Sequence, residues 1–82
     1  MDYNEFYSKS KEIIVDYLRL DEEEIKPETN IVDELCADSI ALVELGFRFS
    51  EEFSVPMIDP SPDLFVFKNL VDHLYKASNS QN

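Results

Sequence analysis

A single glycine, Gly46, in a chain of 82 residues is the feature that most restricts the fold. Sandwiches and barrels of many short strands need frequent tight turns, and such turns draw on Gly, Asn-Gly and Pro. This chain has one Gly and four Pro, too few for that architecture. Its apolar residues follow a helical period instead. Phe6, Ser10, Ile13, Ile14, Tyr17 and Leu18 form one stripe within a first helix of about residues 4–20, with Asn4 as N-cap. A second helix runs from Ser39 to Phe53, and a third from about Val66 to Ala77, where Phe67, Leu70, Val71 and Leu74 repeat at i, i+3, i+4 and i+7. Pro56, Pro60 and Pro62 interrupt regular structure before it, leaving room for a short helical turn near Asp63. The expected fold is all-α: a small bundle of three main helices plus a short helix before the last one. The tail at 78–82 has no apolar residue and should fray.

The connection from 21 to 38 is long for a domain this small. Ile25, Ile31, Val32 and Leu35 punctuate its polar residues and would anchor it to the core as a long ordered loop between helices one and two. No repeat divides the chain, so residues 1–82 read as one domain. The second helix carries apolar residues on two sides. Leu42, Leu45, Gly46, Phe49 and Phe53 suit the core. Ile40, Val43 and Phe47 fall opposite, beside Glu44 and Glu51. An apolar stripe rimmed by carboxylates has the character of a docking surface. The alternative is that the short helix or the loop covers it.

Acidic residues number 18 and basic ones 7, for a net charge of −11. That balance argues against nucleic acid and anionic membrane surfaces as partners, and it favours basic protein surfaces. One cysteine, Cys36, permits no internal disulfide and no Cys-based metal framework, and a free thiol suits a reducing compartment. The first residues lack the pattern of a secretory signal, and no apolar run is long enough to span a bilayer. The expectation is a discrete cytoplasmic protein, monomeric and without stable membrane insertion. Catalytic options are thin. His73 is the one histidine; with Cys36 it could form a nucleophile and base, but no third residue orients the pair. The run Asp21-Glu22-Glu23-Glu24 lacks the alternation and central Gly of a calcium loop. The junction at Asp38-Ser39 is the distinctive place. Either residue can serve as the N-cap of the second helix, and a phosphate ester on Ser39 would sit at the positive end of the helix dipole.

The stretch Cys36-Ala37-Asp38-Ser39-Ile40 resembles the motif that opens the second helix of acyl carrier proteins. The segment from Ile25 to Leu35 is similar to the loop leading into that motif. Val43-Glu44-Leu45 and Glu51-Glu52-Phe53 resemble the second helix, and Phe67 through Leu74 the last, so the resemblance covers about residues 6–75. It implies a non-catalytic carrier. Ser39 would bear a 4′-phosphopantetheine arm, added from coenzyme A by a separate phosphopantetheinyl transferase, with acyl groups held as thioesters. Asp38 would assist transferase recognition. Ile40, Val43, Glu44, Phe47 and Glu51 would dock basic-surfaced acyl-transferring or condensing enzymes of fatty-acid, polyketide or related biosynthesis. The alternative is an acidic helical adaptor of the same fold that docks partners without the arm. Two positions depart from the family pattern. Cys36 stands where Gly is usual, which strains the turn if it needs positive φ. Gly46 lies inside the second helix, leaving space either for a neighbouring Phe or for an acyl chain.

Overall fold

Three α-helices and two 3-10 turns follow one another in a computed structural model that describes residues 2–57 and 61–79. Helix α1 spans Tyr3–Leu18 and starts one residue before the expected Asn4. The cap is Asp2, whose carboxylate accepts the Glu5 N–H at 2.9 Å. Asp2 wins because its short side chain reaches the first-turn amides, while Asn4 is already helical. At the other end Arg19 turns left-handed (φ 57°) and stops the helix before Leu20. Phe6, Ser10 and Ile14 are buried, as the stripe required.

Helix α2 spans Ser39–Phe53, the bounds expected from sequence. It buries Ala41, Leu45, Gly46, Phe49 and Phe53, while Leu42 is half-buried. Ser54 ends it in a left-handed turn, and the Ser50 hydroxyl donates to the Val55 carbonyl, folding the chain back so that Val55 enters the core. Helix α3 spans Phe67–Asn79 and buries Phe67, Leu70, Val71 and Leu74. It continues through Ser78 and Asn79, two residues past the expected end; the rest of the expected tail, and Pro60, lie outside the described residues. The short element before it is a 3-10 turn at Pro62–Phe65.

The three helices meet through rings. Phe6 of α1 stacks on Phe53 of α2 with centroids 4.5 Å apart, and Tyr7 meets Phe67 of α3 edge-to-face at 5.0 Å. Such pairs add about 0.5–1.5 kcal/mol beyond the burial of their area.

The 21–38 connection is ordered by hydrogen bonds, and its anchors are where the sequence put them. Ile25 and Ile31 are buried, while Val32 and Leu35 are half-buried against the core. It opens with a 3-10 turn at Glu22–Glu24, where the Asp21 N–H donates to the Glu24 carboxylate. Buried Thr29 accepts the Lys26 N–H on its hydroxyl, and the Asn30 side chain accepts from the Val32 and Asp33 amides. The loop then serves α3. Phe67 N–H donates to the Thr29 carbonyl and Lys68 N–H to the Pro27 carbonyl, each at 2.8 Å. Two amides of the first turn of α3, which have no partner within the helix, are thereby satisfied. Ile31 N–H reaches the Phe65 carbonyl, also at 2.8 Å, and Asn30 and Val66 form an isolated antiparallel bridge. This lacing fixes where the loop delivers Cys36 to α2.

Candidate functional site

The turn into α2 is held from both sides. Ala37 is buried and its N–H donates to the Ile31 carbonyl at 3.0 Å. Asp38 is extended and caps the helix: its carboxylate accepts the Ala41 N–H at 2.8 Å, and its carbonyl accepts the Leu42 N–H at 2.9 Å. Within the turn closed by the bond from Ala37 N–H to Ile31, the backbone passes through a left-handed conformation at Cys36, φ 58°. The position thus has the conformation that glycine adopts freely and a residue with Cβ adopts at a cost. The Cys36 side chain itself is exposed.

Of the two candidate caps, Asp38 takes the role. Ser39 is the first residue of α2, exposed, with the positive end of the helix dipole behind it. Ester formation on its hydroxyl would therefore cost α2 no capping bond.

The second apolar side of α2 is uncovered. Ile40, Val43 and Phe47 are 69%, 47% and 54% exposed. Together with Ser39 and Glu44 they line one shallow groove of about 340 Å³. Among the described residues, neither the 3-10 turn nor the loop covers it. Glu51 is exposed one turn beyond Phe47, but it lines a different hollow with Ile13, Arg48 and Glu52, between α2 and α1. Arg48 is likewise turned to α1. Its guanidinium pairs with Asp16 at 3.0 Å and lies over the Tyr17 ring, so its charge is tied to the bundle rather than offered along the groove.

Met57 was not picked out from sequence. It is 46% exposed, and its ε-methyl fills the space left by Gly46: a Cβ added to that glycine would come within 3.3 Å of it. The expected neighbour was a phenylalanine ring; Phe49 and Phe65 instead line, together with Gly46, a cavity of about 40 Å³. Sequence carried no signal for Met57 because it lies outside any periodic element. His73 is exposed on α3. Among the described residues no group of three or more His, Cys, Asp and Glu could hold a metal ion, and no helix is long and apolar enough to cross a membrane.

Comparison with known proteins gives this geometry a family. The phosphopantetheine attachment site family matches residues 11–72, a span that includes the Cys36–Ile40 turn. An acyl carrier protein of Petrotoga mobilis is 44% identical over 59 residues, covering 72% of this chain and 69% of the relative. An acyl carrier protein of Picosynechococcus is 44% identical over 55 residues, covering 67% and 68%. The chain belongs to the acyl carrier protein family. With that membership comes a covalently attached 4′-phosphopantetheine. The residues present fit such a group: the turn offers an exposed primary hydroxyl at a helix N-terminus, with the capping duty assigned to its neighbour.

Proposed function

We propose that Ser39 is the attachment point and that the chain carries acyl intermediates for enzymes of fatty-acid, polyketide or related biosynthesis. The observation that supports this most directly is the division of labour at the head of α2, where Asp38 caps and the Ser39 hydroxyl stands exposed. When bound, the arm supplies a terminal thiol that holds cargo as a thioester. The protein's own residues position and present it. Asp38 holds the helix start and, at the foot of the groove, is a contact for the phosphopantetheinyl transferase. Ile40, Val43 and Phe47 give partners an apolar strip bordered by Glu44, and Glu51, exposed one turn beyond Phe47, adds to the charge that steers basic surfaces. Such docking is brief, which suits a carrier that must leave one enzyme for the next. The net charge of −11 raises encounter rates with basic partners in a salt-dependent way.

Intact mass after incubation with coenzyme A and a broad-specificity phosphopantetheinyl transferase tests the assignment. The wild type should gain one phosphopantetheine and Ser39→Ala none, with both folded by circular dichroism. Gain by Ser39→Ala would place the attachment elsewhere. Absence of gain by both, with a basic partner still bound, would point to an arm-free adaptor.

A further inference from the structure

We infer that Met57 sets how long a cargo tail this protein can hold, by packing its ε-methyl on Gly46 as the movable end wall of the apolar cavity that Gly46 lines. The inference rests on the attachment reading above. Ser39, Leu42 and Gly46 follow one another at i, i+3 and i+7, so they lie along one line of α2. Leu42 and Gly46 both line the cavity of about 40 Å³, and every other residue around it is also apolar. Such a space takes a neutral aliphatic tail. A tail ending in a carboxylate would lose its hydration there and gain no partner in return. Half-buried Leu42 stands between the cavity and water, one turn from Ser39.

The cavity has room for about three water-sized volumes, so a longer tail must widen it. Its walls are unequal. Leu45 and Phe49 are 1% exposed and packed into the core. Phe65 is tied to the loop by the Ile31 N–H, which donates to its carbonyl at 2.8 Å. Displacing any of these loses contacts without replacement. At Gly46 the helix has no side chain, and the neighbour is the Met57 methyl, which a Cβ at this position would meet at 3.3 Å. Met57 is 46% exposed. Its unbranched thioether has three rotatable bonds, so the methyl can turn toward water while the helices stay in place. The space it leaves extends the cavity past Gly46. Exposure of one methyl is then offset by burial of the tail carbons that take its place.

The chain contains two methionines, Met1 and Met57, so isotope labelling of the methionine methyls gives a simple NMR spectrum in which Met57→Leu identifies the Met57 signal. Acetyl, octanoyl or dodecanoyl phosphopantetheine is transferred from the corresponding coenzyme A thioesters, and loading is confirmed by intact mass. Relative to acetyl, octanoyl should shift the Met57 methyl and give cross-peaks between it and the tail. Gly46→Ala, which puts a methyl group where the tail would pass, should abolish those cross-peaks. Met57→Ala, at a half-exposed position, removes the wall. Dodecanoyl should then raise the melting temperature further above that of the octanoyl form than it does in the wild type.

A Met57 methyl that stays in place while the Ile31, Leu45 and Leu70 methyls shift would overturn the inference, since the tail would be held without reaching Met57. Shifts confined to Ile40 and Val43 would overturn it as well, as would an unchanged difference between dodecanoyl and octanoyl in Met57→Ala. Failure of the wild type to gain mass would overturn the Ser39 reading and this inference with it.

Discussion

Cys36→Gly should make the protein more stable, although it removes a side chain. Cys36 is held at φ 58°, where the Cβ of an L-residue crowds the following carbonyl at a cost of about 1–2 kcal/mol. The turn cannot relax away from it, because Ala37 is buried and hydrogen-bonded to Ile31 while Asp38 is committed to capping α2. Glycine removes the crowding. It also widens the unfolded ensemble, giving back about 0.5–1 kcal/mol. The exposed thiol contributes little burial. A net gain of about 0.5–1 kcal/mol remains, which for a domain of this size is a rise in melting temperature of about 2–8 °C. Thermal and urea denaturation followed by circular dichroism measure it. Cys36→Ala separates backbone from thiol: it keeps the Cβ and should stay within about 0.5 kcal/mol of wild type. Cys36→Val, β-branched at positive φ, should be the least stable of the series. If Cys36→Gly is no more stable than Cys36→Ala, backbone strain at the turn is not what the Cys36 substitution relieves.

Three further outcomes are expected. Ser10 is 0% exposed, and its hydroxyl has no hydrogen-bond partner among the described residues, so Ser10→Ala should stabilise by about 1 kcal/mol in urea melts; destabilisation would mean the hydroxyl is satisfied. Asp38→Ala should cost about 1 kcal/mol through loss of the α2 cap, with Asp38→Asn recovering most of it, since either side chain can accept the Ala41 N–H; equal losses would deny the cap. Tyr3 is pushed up to about 12 by burial and then by its hydrogen bond to the Asp72 carboxylate, against an ordinary value of 10.0. The folded state keeps this proton where the unfolded state releases it, so the contribution to stability is full below pH 10.0 and is lost as pH rises through about 12. Asp72→Asn should lower the midpoint of the phenolate absorbance titration, and an unmoved midpoint would exclude Asp72 as a cause.

Much of this was legible in the residues. The α2 bounds, its two apolar sides, the buried stripe of α1 and the loop anchors Ile25 and Ile31 all follow from periodicity and patterning, because a helix repeats its environment at a fixed interval. Helix-terminus chemistry marks Asp38-Ser39 as a cap with room for an ester, and the family resemblance is what singles out Ser39 as the attachment point. What failed was set by competition between near-equal neighbours. Asp2 caps α1 in place of the expected Asn4, and α3 persists two residues beyond its last apolar position.

The sequence by itself determined an acidic, three-helix chain with a hydroxyl at the head of a two-sided helix, since these depend on composition and on short-range spacing. Only the tertiary structure decided which residue caps α2, that Cys36 sits at positive φ, that Arg48 is held by Asp16 and Tyr17, and that Met57 fills the place of a side chain at Gly46. Most of these depend on contacts between segments far apart in the chain. The path that carries the backbone from Ile31 to Ala41 is in turn fixed by the lacing of the loop to α3, and no pattern within a single segment encodes that distance.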